Sequence, residues 1–283
     1  MAENNMFSSL EKIGLGMLSD MNLYEEDSPK ANNLLQKTTT ESKKASEADA
    51  VFDKTYKCPV CDYDFKVKSI RARKARMIGA DIDLRPRYED VDPIKYDAIV
   101  CNHCGYASLS RFFTHISAPQ IKLIRTNITP FFKGVDDKCD SYSYDEAVMR
   151  HELALANAFV KKGKASEKAY TCLKLAWLKR GKAENIPADT ENRSEVIQTL
   201  KAEEKQYISK AYEGFSVAMS KEIFPICGMD EWTYIYLVSA LGYECEDYAR
   251  SLKLLSDLVV SKAASPKLKD KARELRKLMQ NKI

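Results

Sequence analysis

Two short stretches hold the residues best suited to chemistry: Cys58-Pro59-Val60-Cys61-Asp62-Tyr63 and Cys101-Asn102-His103-Cys104-Gly105-Tyr106. Each is a Cys-x-x-Cys turn, then a residue that tolerates left-handed backbone, then a tyrosine. Glycine reaches that conformation freely, and aspartate is among the few other residues that visit it readily. Two such turns facing each other can set four thiolates in a tetrahedron around one ion. Cys58, Cys61, Cys101 and Cys104 are therefore the candidate metal ligands.

The expected ion is one structural Zn²⁺. Tetrahedral thiolate sites also suit a single iron, which would make the chain a rubredoxin-like electron carrier. Zinc is favoured because 39 charge-rich residues separate Cys61 from Cys101, unlike a compact electron-transfer module. A redox dithiol would call for one Cys-x-x-Cys in an α/β setting. His103 lies between the last two ligands and is a conceivable substitute, but the thiolate set is already complete.

No other catalytic constellation is evident: there is no phosphate loop, dinucleotide fingerprint or His-Glu-x-x-His. The three histidines are His103, His115 and His151, and nothing marks a Ser-His-Asp site around them. His151, beside Glu152 in a helical pattern, reads as part of a solvated face. The expectation is a protein that is not an enzyme.

The insert between the knuckles is itself distinctive. Lys66, Lys68, Arg71, Arg73, Lys74 and Arg76 form a run with no acidic residue, and Asp81, Asp83, Arg85, Arg87 and Tyr88 follow in a crowded mixed-charge element. Together these make the candidate interaction surface. The basic run invites nucleic acid through its phosphates. Internal pairing with nearby acids is the alternative, and the aromatic residues at hand, Tyr63, Phe65 and Tyr88, form no obvious stacking platform.

The elements that position these residues fall into blocks. Phe7, Leu10, Ile13, Met17, Leu18 and Met21 are spaced to form one apolar helical face over 1–24, although Gly14 and Gly16 weaken that helix by about 1 kcal/mol each. Such a helix can dock on its own chain or on a partner. Residues 25–50 are polar and read as a flexible linker. Residues 51–138 read as a zinc-ribbon-like domain in which short strand-like segments from Tyr56 onward flank the Cys-x-x-Cys turns.

After Phe113 the sequence is helical to its end, with a helical domain over 139–283 and helices expected at 145–161, 165–179, 191–221, 231–241, 247–261 and 267–280. Small residues around Gly163 and Gly242 suggest helix-turn-helix units of tetratricopeptide (TPR) type, with a plain bundle as the alternative. The fold class is α+β.

The bulk properties exclude rather than identify. The chain has 283 residues, 45% apolar and 30% charged, with a net charge of +4, which neither demands nor excludes nucleic acid. The excess is local: residues 56–138 carry fifteen Lys/Arg against ten Asp/Glu. No apolar run approaches the roughly 20 residues needed to span a bilayer, so no membrane partner is expected. The remaining cysteines, Cys139, Cys172, Cys227 and Cys245, are scattered through the chain, a usage that fits a reducing cytoplasm.

One family resemblance rests on particular residues. Tyr56-Lys57-Cys58-Pro59-Val60-Cys61, then Asp81-x-Asp83-x-Arg85-Pro86-x-Tyr88, Tyr96-Asp97 and Cys101-x-x-Cys104-Gly105-Tyr106-Ala107 resemble the DUF2225 family of bacterial proteins. The resemblance implies a zinc-ribbon-like region followed by helices, and makes the Asp81–Tyr88 element part of a family pattern. It implies no activity. The resulting expectation is a cytoplasmic zinc-binding adaptor that engages a protein partner through its helical half, with nucleic-acid binding or electron transfer as alternatives. The oligomeric state and the partner are not legible from the sequence.

Overall fold

A computed structural model describes residues 8–16 and 47–282. Residues 17–46, which include most of the expected linker and Met17, Leu18 and Met21, lie outside the described residues, as does Phe7. Where an amphipathic α-helix is expected over 1–24, the described part, Ser8–Ile13, is a 3-10 helix. It ends at Gly14, whose φ is 88° and where a Cβ would strike the Phe131 carbonyl. Its apolar residues dock on their own chain: Leu10, Ile13 and Leu15 are buried, and the Lys133 amide donates to the Ile13 carbonyl at 3.1 Å.

A second 3-10 turn, Glu47–Ala50, falls at the end of the stretch read as linker. It is fixed by Glu47, which accepts from Lys95 Nζ at 2.6 Å and from the Tyr96 hydroxyl at 2.8 Å.

Three antiparallel hairpins follow, each a separate two-stranded sheet. β1 (Val51–Lys57) pairs with β2 (Asp64–Ile70), β3 (Met77–Ala80) with β4 (Pro86–Tyr88), and β5 (Ala98–Val100) with β6 (Ala107–Leu109). The first and third carry the Cys-x-x-Cys turns at their tips. Alternation works as expected in β2, where Phe65 and Val67 are buried and Lys66 is exposed. Two-stranded hairpins are marginal alone, and the first and third are joined through aromatic packing. Phe113 lies 5.1 Å from the Tyr106 ring, 5.8 Å from Tyr56 and 6.1 Å from Phe65, centroid to centroid.

Seven α-helices complete the described fold: α1 (Ala118–Asn127), α2 (Tyr144–Val160), α3 (Ala165–Glu184), α4 (Arg193–Lys221), α5 (Glu231–Glu244), α6 (Tyr248–Val260) and α7 (Pro266–Gln280). Their starts follow local chemistry. The Ser143 hydroxyl accepts from the Glu146 amide while Glu146 accepts from the Ser143 amide, a capping box, and Asp230 caps α5 in the same spirit. From α2 onward each helix packs on the next.

The centre of the molecule is α2. It packs against β5, β6, the Ser8–Ile13 turn, α1 and α3. One apolar cluster consequently runs from Cys58 and Cys104 through Leu155 and Trp177 to Tyr234, and a second joins α5, α6 and α7. This surround corrects the reading of His151. Both His151 and Glu152 are buried, because α2 has neighbours on every side and presents no solvated face there.

Candidate metal centre

The two knuckles are built alike. In the first, the Asp62 amide donates to the Cys58 carbonyl at 2.9 Å, and the Cys58 amide donates to the Tyr63 carbonyl at 3.0 Å. In the second, Gly105 and Cys101 repeat those bonds, to the Cys101 and Tyr106 carbonyls, at 2.9 and 2.8 Å. Asp62 and Gly105 both take the left-handed conformation, with φ of 59° and 76°. At Gly105 a Cβ would also lie 2.6 Å from the Phe132 ring, so no larger residue fits.

The turns bring all four Sγ atoms within 4.8 Å of one another. Cys58 Sγ lies 3.6 Å from Cys104 Sγ, and Cys61 Sγ lies 3.7 Å from Cys101 Sγ. A tetrahedron with metal–sulfur bonds of about 2.3 Å has edges of about 3.8 Å. The observed spacing therefore fits four-coordinate binding, whereas a disulfide requires about 2.05 Å. Cys58, Cys101 and Cys104 are buried and Cys61 is half-buried.

The thiols also perturb one another. Hydrogen bonds from Cys104 and Cys58 pull Cys101 down to about 2, and the bond with Cys101 drives Cys58 up to about 12. Cys104 is driven up as well, first by its bond with Cys101. Packed this closely, four sulfurs cannot all ionise unless a cation compensates them. The cluster can hold a metal ion on its donor set and spacing.

Residues far away in sequence hold the knuckle backbones. Arg125 on α1 donates to the Val60 carbonyl through Nε at 2.9 Å and through Nη2. Thr129 donates to the Cys104 carbonyl at 3.0 Å, and Asn157 on α2 donates to the Gly105 carbonyl at 3.1 Å. The Val60 amide points at Cys58 Sγ, 3.4 Å away. His103 is exposed and stacks on Tyr63, centroids 4.9 Å apart, linking the two turns from outside. No sequence signal marked Arg125, Thr129 or Asn157.

The eleven-residue candidate surface does not stay together. Lys66, Arg71, Arg73, Lys74 and Arg76 are exposed. Lys68 pairs with Asp53 at 2.8 Å, and Arg76 with Glu89 at 3.0 Å. Asp83 and Arg85 are buried at 0% and 4% exposure, so their assignment to a surface is corrected. Asp83 accepts from Trp177 Nε1 at 2.8 Å and from Arg180 Nη2 at 2.9 Å. Arg85 donates to Glu184 at 3.0 Å. Arg87 bridges Asp81 and Glu184, each at 2.6 Å, and Tyr88 is half-buried opposite Met77.

Arg180 also meets Glu204 at 2.6 Å, Asp81 at 3.2 Å and Glu244 at 3.4 Å. Burial pushes Glu244 up to about 6 despite Arg180. The mixed-charge element is thus a joint that fastens the β3–β4 hairpin to α3, α4 and α5. Asp83 and Arg85 are buried because each finds an opposite partner across that joint, Arg180 and Glu184.

Fold and site together define an α+β protein in which two Cys-x-x-Cys hairpins are seated on a helical body. Over residues 51–279 the chain matches the family described as "Uncharacterized protein conserved in bacteria (DUF2225)", and it belongs to that family. No curated protein and no solved structure matches it.

Proposed function

We propose that this chain is a zinc-stabilised binding protein of the cytoplasm, not an enzyme, that engages a protein partner through its TPR-like helical half. The observation carrying this reading is the thiol cluster, whose 3.6 and 3.7 Å Sγ separations match a closed four-thiolate shell. Such a shell leaves no position for water or substrate, so zinc held there would supply folding free energy rather than Lewis-acid chemistry.

Zinc is preferred to iron because the four ligands tie two hairpins to each other on a large helical body, an architecture suited to structural support. Antiparallel helices in sequence, when stacked as repeats, offer a concave surface to a peptide or protein. Eight free cysteines accord with a reducing compartment. No helix of the described residues is long and apolar enough to cross a membrane.

The test combines elemental analysis with native purification from cells. The reading expects a colourless protein carrying one zinc per chain and a stoichiometric protein partner. A red iron protein would favour electron transfer, and a chain that recovers no partner would remove the adaptor role.

A second reading is nucleic-acid binding. Lys66, Arg71, Arg73 and Lys74 are exposed and have no acidic partner among the described residues. Contacts from these four cations would give a log–log salt slope of about −3 to −4. Binding that is undetectable, or unaffected by salt, ends that reading.

A further inference from the structure

The β3–β4 hairpin raises a physical question: why is it held so firmly when half of it buries nothing? All four residues of β3 are exposed. Met77 is 57% and Ile78 62% exposed, among the most exposed large apolar side chains described. The strand therefore adds almost nothing to any core. Yet its turn and return strand are clamped by Asp81, Asp83, Arg85 and Arg87 against Trp177, Arg180 and Glu184. A buried ionic joint is costly to assemble and confers position more than stability. Here it fixes one strand in space, preorganised.

The two edges of this hairpin differ. β4 opens on Pro86, which has no N–H to offer, and its Arg87 is tied to α3 through Glu184 at 2.6 Å. β3 pairs with β4 alone, so its other edge is free among the described residues. That edge, Met77-Ile78-Gly79-Ala80, carries no Lys or Pro, and its one irregularity is the register shift against β4 between Met77 and Gly79. Around Gly79 there is open space, and no heavy atom lies within 4 Å of where a Cβ would stand. The chain entering β3 passes through the turn that holds Arg71, Arg73 and Lys74, exposed cations with no acidic partner among the described residues.

We propose that the free edge of β3 binds an extended acidic–apolar segment of a protein partner as a third strand. Backbone pairing to Met77–Ala80 would supply affinity. Met77 and Ile78 would cover apolar side chains of the added strand, and Arg71, Arg73 and Lys74 would receive the acidic ones. The exposed groups discriminate among anionic partners. Aliphatic Met77 and Ile78 offer no stacking plane for bases. An open strand edge carries unpaired backbone groups that cannot enter hydrocarbon. The peptide class rests on the reading of the chain as a binding protein, but the site is separate from its helical surface.

The test uses the full metal-loaded chain and short labelled synthetic peptides. One alternates Glu with Val, one alternates Lys with Val, and a third is the Glu–Val peptide N-methylated at alternate amides to block strand pairing. Fluorescence anisotropy should rank Glu–Val above both others by at least about tenfold in Kd, about 1.4 kcal/mol. Hydrogen exchange should show new protection at 77–80. Ile78→Asp should weaken binding, and the Arg71→Glu/Lys74→Glu pair should reverse the preference towards the Lys–Val peptide. Both are changes at exposed positions that leave metal content unchanged.

Several outcomes overturn the proposal. One is equal binding of the N-methylated peptide, which means charge alone; another is protection at 77–80 produced by self-association without peptide. A third is protection produced by oligothymidylate or phosphatidylglycerol vesicles but not by the Glu–Val peptide. If the peptides fail while a protein partner still co-purifies, the binding-protein reading stands and only the β3 site falls.

Discussion

At the second knuckle, Gly105 holds φ at 76° with the Phe132 ring against it, while Asp62 holds the equivalent place in the first knuckle with an ordinary side chain. The two positions should respond differently to mutation. Gly105→Ala combines a left-handed penalty of about 1–2 kcal/mol with overpacking of about 1–3 kcal/mol. Asp62→Gly should change stability by less than about 1 kcal/mol. Denaturant midpoints of the metal-loaded proteins check this contrast.

The ligands themselves allow a sharper prediction. Structural zinc can contribute about 10 kcal/mol or more to a small module, as much as a whole domain's stability of about 5–15 kcal/mol. Cys101→Ser should therefore lose the metal and unfold the knuckles. Cys172→Ser, at a buried cysteine outside the cluster, should keep a full complement by elemental analysis.

His151 supplies a pH prediction. Its Nδ1–H donates to the Ala147 carbonyl at 2.7 Å, and complete burial lowers its pKa from 6.5 to about 4. The unfolded chain thus takes up a proton near pH 6.5 that the folded chain refuses until about pH 4. Stability falls as pH drops through that window, by up to about 3 kcal/mol. Glu244, raised from 4.5 to about 6, acts in the opposite direction between those values. The profile is therefore compared with that of His151→Gln, in which the His151 contribution should vanish.

Among the elements, the β3–β4 hairpin shows how unequal ion pairs can be. Arg76 and Glu89 pair at 3.0 Å in the open, where such a bond contributes less than about 1 kcal/mol. Asp83 is fully buried and serves Trp177 and Arg180 together. Arg180 would keep Glu204, Asp81 and Glu244, so Asp83→Ala should cost about 1–3 kcal/mol, chiefly by leaving the buried Trp177 Nε1–H without its acceptor. Hydrogen exchange should report the 77–88 hairpin loosened while the zinc remains. Arg76→Ala should leave that exchange pattern intact.

At the scale of the whole molecule, two apolar clusters meet at α5. One includes the knuckles and α2, and the other joins α5 to α6 and α7. Chelating the metal should therefore not melt the chain evenly. Hydrogen exchange after metal removal should show protection lost at both knuckles, α1 and α2, while α6 and α7 retain theirs. Uniform loss throughout would mean that the clusters act as a single cooperative unit.

The local features of this fold were written in local sequence. The Cys-x-x-Cys spacing, the left-handed residue after each turn and the helical periodicity depend on neighbours a few residues apart, and the helices α2 to α7 lie within a few residues of their expected positions. α1 was also within reach, since Ser117-Ala118-Pro119-Gln120 is a capping signature whose Gln120 accepts from the Ser117 amide at 3.0 Å.

What tertiary structure alone decided were the long-range partners. Whether a charged side chain is surface or joint depends on what folds over it. Asp83 is internal because Trp177 and Arg180, over ninety positions later, complete its hydrogen bonds. His151 is internal because strands and helices close around α2. The same holds for the metal centre: the sequence named its four thiols, and the packing of α1 and α2 beneath the hairpins decided that they meet.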